Sequence, residues 1–191
     1  MKNFLPTLIL MLSFGTINAQ SVNKLKKQLL SSIEQKSDEL ITMSDNIWHA
    51  AEVAFREEKS AQYLMEYAKQ NGFDVDSDLA GMPTAFTATF GEGSPVIGII
   101  GEFDALPGLS QTTVPYKNEL TDGGAGHGCG HNLFGTASLG AAVAIKELIE
   151  KGSLKGTVKY FGTPAEEKFF GKLWMIRDGV FDNVDVVMDW H

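Results

Sequence analysis

The sequence predicts an α/β fold in which a mainly parallel sheet is flanked by helices. Short apolar runs rich in β-branched residues alternate with a helical apolar spacing over the second half of the chain, in the order strand, helix, strand. One run, Val96 to Ile100, is apolar on both faces, which is typical of a strand covered by helices on both sides. The 191 residues are 43% hydrophobic, enough for one domain with a real core.

The first elements are two predicted helices. Between residues 22 and 70, apolar residues recur mostly at three- and four-residue steps, the spacing of a buried helix face. We expect the two helices to be broken near Ser44 and Asp45, where a capping residue precedes the second apolar run. Asn71 and Gly72 are expected to end the second helix.

Strands and helices alternate in the rest of the chain. Thr84 to Phe90 and Pro95 to Gly101 predict two strands, joined by four residues that indicate a hairpin or tight strand connection. A long loop rich in Gly and polar residues follows, and loops of this length are usually functional or disordered. We then expect a helix from Leu133 to Glu150, a strand from Gly156 to Phe161, a short helix from Phe170 to Asp178 and a strand from Val184 to Asp189.

The N-terminal segment has the layout of a secretory signal peptide. Lys2 precedes a mostly apolar run from Phe4 to Phe14, and Ala19 stands just before polar residues. The apolar run is too short to span a bilayer comfortably, although an uncleaved anchor or a buried helix remains the alternative. We therefore assign residues 1–19 to a signal peptide and expect an exported, periplasmic protein with no stable membrane span.

Charge and cysteine content exclude some classes of function. The net charge of −8 leaves no basic stripe for binding phosphates, so we expect no nucleic-acid partner. The single cysteine of an exported protein cannot form an internal disulfide. It must be buried and inert, reactive, intermolecular or bound to metal, and the glycines and histidines around it favour metal.

Three polar clusters contain residues suited to metal chemistry. One glycine separates Cys129 from His131, so their side chains can converge on one ion, although a glycine-rich turn would look the same. Glu166 and Glu167 are adjacent carboxylates just past a predicted strand. One can bind metal while the other accepts a proton from an activated water, and the alternative is an ordinary acidic helix start. His191 directly follows the last strand.

Two further residues lie close to these clusters. Asp104 could ligate metal or orient a ligand, or it could simply form a turn before Pro107. His127 is expected to support a ligand rather than to bind metal, because three donors on so short a loop would strain it. In parallel sheets the chemistry lies beyond the carboxyl ends of the strands. Three polar segments follow predicted strands in this way: Glu102 to Asp104, Thr163 to Glu167, and Trp190 with His191.

Taken together, four segments resemble the successive motifs of the M20 metallopeptidase and amidohydrolase family, and within it the branch that is similar to p-aminobenzoyl-glutamate hydrolase. The resemblance runs from about Ile47 to His191, most of the mature chain. The segments are Gly101 to Gln111, Gly126 to Leu133, Gly162 to Glu167 and Asp189 to His191.

The resemblance implies an activity and a set of site residues. Members of this family hydrolyse amide bonds of N-acyl or N-aroyl amino acids, such as aminobenzoyl-glutamate, or of small peptides, with two divalent ions, zinc or manganese. The resemblance also implies that Glu166 is the general base, which takes a proton from the attacking water and returns it to the leaving amine. Asn132 stands where many relatives carry aspartate, and its amide can still orient a neighbouring ligand. The implied metal ligands are Cys129, His131, Glu167 and His191.

The same resemblance implies that part of the family's architecture is missing. Family members continue into a smaller lid and dimerisation domain and then return to complete the catalytic sheet with one last histidine ligand. We therefore expect residues 20–191 to be the N-terminal part of the catalytic domain, without the lid and with little or no activity alone. The complete protein is expected to be a dimer that acts on a small-molecule amide substrate.

Two other functions stay open at this point. A metal-binding or interaction module would hold a structural ion in a closed site of four ligands, whereas a hydrolase keeps an open position. A cysteine hydrolase would use Cys129 as its nucleophile, but its histidine would ordinarily come from elsewhere in the fold rather than from two residues away.

Overall fold

The computed structural model describes residues 21–191, so the predicted signal peptide lies outside the described residues. Three helices come first: α1 over residues 21–35, α2 at Ser37–Ala50 and α3 at Glu58–Gln70. The predicted break near Ser44 and Asp45 is wrong, because α2 passes through both residues. The Ser44 hydroxyl is buried and accepts a hydrogen bond from the Asn132 amide, so it serves tertiary packing instead of capping a helix.

The remaining elements form a five-stranded sheet and its covering helices. The strands are β1 at Asp74–Ser77, β2 at Phe86–Glu92, β3 at Val96–Glu102, β4 at Gly156–Thr163 and β5 at Val186–Met188. A short 3-10 helix at Leu79–Gly81 separates β1 from β2. The later helices are α4 at His131–Glu150, α5 at Glu166–Phe169 and α6 at Gly171–Arg177.

The sheet is mixed, with the order β1-β2-β4-β3-β5. Strand β3 is parallel to both β4 and β5, whereas β1 pairs with β2, and β2 with β4, in the antiparallel direction. The predicted α/β class is confirmed, and the parallel pairing is confined to the three strands β4, β3 and β5.

The hairpin alternative for β2 and β3 is wrong, because β4 lies between these two strands. The connection between them uses β4 to satisfy its backbone: Thr157 donates from its N–H to Pro95 O at 2.9 Å and from its hydroxyl to Gly93 O at 2.9 Å. Only the tight connection is observed.

Helices cover both faces of the sheet. Helices α3 and α4 pack on one face, where Ile99 and Tyr160 join the larger apolar cluster, and α2 packs against these two helices. The next residue in each strand, Ile100 or Phe161, points to the other face and joins a smaller cluster with Met175 of α6. This alternation explains why β3 is apolar at nearly every position.

Helix α4 begins two residues earlier than predicted, so His131 lies in its first turn. The residue before it, Gly130, has a φ of 91°, a conformation that glycine adopts readily. Further along α4, a Cβ on Gly135 would lie 2.7 Å from the carbonyl oxygen of Glu102. The absence of that atom lets α4 approach the end of β3, which brings His131 to the edge of the sheet. Within residues 21–191, no helix is both long and apolar enough to cross a membrane.

Candidate metal centre

The candidate site lies beyond the carboxyl ends of the three neighbouring parallel strands. Glu102 is the last residue of β3, and α5 carries Glu166 and Glu167 directly after β4. His191 follows β5, and His131 reaches the same edge from the first turn of α4. Because parallel strands end at one edge of a sheet, residues distant in sequence meet here.

Three of the four predicted ligands are in direct contact. The Sγ of Cys129 lies 3.0 Å from Nε2 of His191, and Nε2 of His131 lies 3.3 Å from the same nitrogen. Their potential ligand atoms all lie within 4.8 Å of one another, close enough to share one ion. His131 is fully buried, whereas the His191 side chain is 49% exposed.

Carboxylates complete the cluster around the two imidazoles. Oε2 of Glu166 and Oε1 of Glu167 lie 3.8 Å and 3.9 Å from Nε2 of His131. Glu102, Glu166 and the two histidines form a second group of potential ligands within 4.8 Å. The two groups therefore share His131 and His191.

Glu102 was not among the predicted site residues. Its Oε2 lies 3.2 Å from Nε2 of His131 and 3.9 Å from Nε2 of His191, and the residue is 2% exposed. The signal that could have identified it is its place at the end of an apolar strand, where a carboxylate would be buried at the carboxyl edge of the sheet.

The donor set fits a divalent transition metal. Within the described part of the chain, the buried oxygens Oε2 of Glu102 and Oε1 of Glu167 have no hydrogen-bond partner. Unpartnered buried oxygens are costly, and a cation beside them would remove that cost. Sulfur, imidazole nitrogen and carboxylate oxygen are together the ligands that zinc and related ions accept.

Asp104 is the residue that orients His131. This buried carboxylate accepts a hydrogen bond from Nδ1 of His131 at 2.9 Å and another from the backbone N–H of Glu167 at 3.0 Å. A proton on Nδ1 leaves the lone pair of Nε2 free to bind metal. Burial works to lower the pKa of His131, but the hydrogen bond and negative charge of Asp104, together with Glu102, raise it above its ordinary value.

Lys172 of α6 forms an ion pair with the Glu102 carboxylate. Its ammonium contacts Oε1 of Glu102 and lies 3.5 Å from Oδ2 of Asp189. Burial opposes the charge on Lys172, but these two carboxylates raise its pKa. The contact engages one oxygen of Glu102 and leaves the other directed at His131.

His127 and Asn132 lie beside the cluster and contact α2. Nε2 of His127 is 3.1 Å from the carbonyl oxygen of Ile47, and burial lowers the pKa of His127. The Asn132 amide donates to the Ser44 hydroxyl at 3.0 Å, so it attaches α4 to α2. Both residues support the framework around the site.

The surroundings of Cys129 do not favour a nucleophilic thiolate. Desolvation and the carboxylates of Glu167, Glu102 and Glu166 raise the pKa of its thiol. A catalytic cysteine needs the opposite shift. The environment therefore favours the interpretation of Cys129 as a metal ligand over the cysteine hydrolase.

Comparison with known sequences finds relatives among hydrolases. Peptidase family M20/M25/M40 matches residues 98–191. The chain is 44% identical over 161 residues to one subunit of the p-aminobenzoyl-glutamate hydrolase of Escherichia coli (strain K12), covering 84% of this chain and 34% of that protein. It is also 30% identical over 194 residues to the Xaa-Arg dipeptidase of Mus musculus, covering 93% of this chain and 40% of the relative.

A solved structure supports the same relationship. A Bacillus subtilis protein described as a dinuclear metal binding peptidase from the M20 family superposes with a TM-score of 0.72 at 27% identity, over 83% of this chain and 43% of the other. The chain thus spans less than half the length of these relatives. The ordered motifs, the arrangement of the sheet and these likenesses agree, and the chain belongs to peptidase family M20.

Proposed function

We propose that the protein containing this chain is a metal-dependent amidohydrolase that cleaves the amide bond of N-acyl or N-aroyl amino acids, such as aminobenzoyl-glutamate, or of small peptides. The observation that carries the proposal is the convergence of thiol, imidazole and carboxylate donors, which include two buried oxygens that have no hydrogen-bond partner among the described residues. The 44% identity to an aminobenzoyl-glutamate hydrolase subunit supports an aroyl amino acid as substrate.

Two divalent ions, zinc or manganese, would be held by Cys129, His131, Glu167 and His191. When bound, such ions polarise a carbonyl group and lower the pKa of water to near neutrality. The feature that supports two neighbouring ions instead of one is a pair of overlapping donor groups that share both histidines. Cys129 completes one group, Glu102 and Glu166 complete the other, and Oε1 of Glu167 lies 3.9 Å from Nε2 of His131.

Glu166 is the proposed general base. Its side chain is 26% exposed, so water can reach it, while its Oε2 lies 3.8 Å from Nε2 of His131. A carboxylate in this position can take a proton from the attacking water and pass it to the leaving amine. Asp104 keeps both His131 and the backbone of α5 in place during these transfers.

We also propose that the protein is exported to the periplasm and acts as a dimer. Export is supported by the apolar run that follows Lys2 and by the small residue at Ala19. Assembly is supported by the name of the Escherichia coli relative, which describes it as a subunit. The N-terminal sequence of the protein recovered from the periplasm would test export. The mass of the protein in solution would test dimerisation.

The decisive experiment uses the complete protein that contains this chain. Metal content and hydrolysis of aminobenzoyl-glutamate, with N-acetyl amino acids for comparison, are measured for the wild type, Glu166→Gln and the control Glu150→Gln. Glu150 is at the far end of α4, where it pairs with Lys146. We expect Glu166→Gln to keep its metal and to lose about 10²-fold or more in kcat, with the control unchanged.

Two results would contradict the proposal. Full activity of Glu166→Gln would remove Glu166 as the base. A single tightly held ion with no hydrolysis of any amide would instead favour the structural metal module, since a closed site offers no open position.

A further inference from the structure

The helix that carries Glu166 and Glu167 is bounded by strained backbone. Ala165, just before α5, has a φ of 59°, and Phe170, just after it, has a φ of 51°. Neither residue is glycine, and each left-handed conformation costs about 1 kcal/mol or more. A one-turn helix with such ends needs contacts that hold it in this conformation.

Glu57 supplies one of these contacts. The residue precedes α3 and is 0% exposed. Its Oε1 accepts a hydrogen bond from the backbone N–H of Ala165 at 2.8 Å, and its Oε2 accepts one from the Thr84 hydroxyl at 3.3 Å. The N–H it binds belongs to the residue directly before Glu166.

The same segment holds the other end of α5. The ring of Phe55, two residues before Glu57, stacks on the ring of Phe169 with centroids 5.1 Å apart and an interplanar angle of 22°. Together with the bond from Glu167 N–H to Asp104, these contacts fix the start, middle and end of the helix. The segment before α3 thus positions a helix more than a hundred residues later.

A carboxyl group is an unusual choice for this position. Burial raises the pKa of Glu57 to about 7, and its hydrogen-bond partners are a backbone N–H and a hydroxyl, neither of which is a cation. Burying an acid in this way costs free energy, so its presence indicates that the acceptor oxygen facing Ala165 matters.

We propose that Glu57 is a positioning residue for the metal centre: by accepting the Ala165 N–H it holds the left-handed turn at which α5 begins, so that Glu166 and Glu167 face His131. The inference rests on the proposed function for the roles of those two carboxylates. Among the described residues, Glu57 makes no hydrogen bond or ion pair with a candidate ligand, and it reaches α5 through the backbone of Ala165.

The test compares two substitutions of Glu57 with a matched control in the complete protein. Glu57→Met fills a similar volume without an acceptor, whereas Glu57→Gln keeps one. The control is Glu52→Ala, because the Glu52 carboxylate accepts bonds from Ser60 N at 2.9 Å and Lys59 N at 3.1 Å. It supports the same start of α3 without contacting the turn before α5.

We expect Glu57→Met to weaken metal affinity and to lower kcat by about tenfold or more, with KM changed much less, as for other residues that orient ligands. Glu57→Gln is expected to restore most of both values. Glu52→Ala should lower Tm and leave metal affinity and kcat near those of the wild type.

Different failures point to different errors. If Glu57→Met changes only Tm, as Glu52→Ala does, the positioning role is refuted while the proposed function stands. If the wild type binds no divalent metal, the proposed function fails, and the inference fails with it. Should Glu57→Met not fold, Glu57→Asp takes its place, because the shorter side chain withdraws the acceptor oxygen from the Ala165 N–H, and wild-type metal affinity in that variant would overturn the inference.

Discussion

Replacing Asp104 by alanine tests the geometry of the metal centre most directly. The substitution removes both bonds that this carboxylate accepts, from Nδ1 of His131 at 2.9 Å and from Glu167 N–H at 3.0 Å. Each bond orients a different candidate ligand. The imidazole would be free to rotate about its χ angles, and the start of α5 would lose one of its anchors.

The expected magnitude follows from these two contacts. Loss of a partner that orients a metal-bound histidine typically weakens metal affinity by about 10–100-fold. The corresponding free energy is about 1.4–2.7 kcal/mol. Stability should also fall by about 3 kcal/mol, because one buried and one partly buried N–H group lose the carboxylate that accepts their hydrogen bonds. Asp104→Asn keeps one acceptor and should show a smaller loss of affinity and of stability.

The assay is competition for zinc against a chromophoric chelator, with folding of each variant checked by circular dichroism. Several pH values are needed because Asp104 raises the pKa of His131, so its removal also weakens proton competition at low pH. The loss of zinc affinity should therefore be largest at high pH. A folded Asp104→Ala variant whose zinc affinity stays within about twofold of wild type at every pH would refute the orienting role.

Three further predictions follow from the charges in and around the site. The pKa of the Cys129 thiol is raised, and the thiol must lose its proton to bind zinc. The apparent zinc affinity should therefore rise with pH, by up to about tenfold per pH unit from this proton. Addition of zinc to Cys129→Ser should release fewer protons than its addition to the wild type. Lys172→Met leaves the buried Glu102 carboxylate without its cation. The Tm of this variant should therefore fall further below the wild-type Tm in chelator than in zinc. Equal losses of Tm under the two conditions would contradict the role of the contact. Glu57 keeps its proton in the folded state up to about pH 7 but loses it in the unfolded chain near its ordinary value of 4.5. Wild-type stability should therefore fall relative to Glu57→Gln across that window, by about 3 kcal/mol in all, and then level off, which urea unfolding at several pH values would measure.

Much of the fold and several site residues could be predicted from local patterns. Apolar runs of β-branched residues mark β2, β3 and β4, and the helical spacing after Leu133 marks most of α4. These signals depend on whether a residue faces the core, which alternation and periodicity encode directly. The polar residues of the site could also be predicted locally, since each polar segment directly follows an apolar run and so marks the end of a strand.

Other features depend on contacts between distant segments and leave no periodic signal. Helix α2 continues through Ser44 because its hydroxyl meets Asn132, 88 positions away. Strand β4 separates β2 from β3 because β3 pairs along its whole length with β4, and the connection before it also bonds to β4. A periodicity states which face is buried but not which strand lies beside it.

The sequence by itself determined the chemical types in the site: one thiol, two imidazoles and a pair of carboxylates, each close to the end of a strand or the start of a helix. Only the tertiary structure decided that Glu102 joins them, that Asp104 and Lys172 orient the donors, and that Glu57 holds the turn before α5. The physical reason is that ligand types are a property of single residues, whereas burial, hydrogen-bond partners and backbone strain arise only when separate segments pack together.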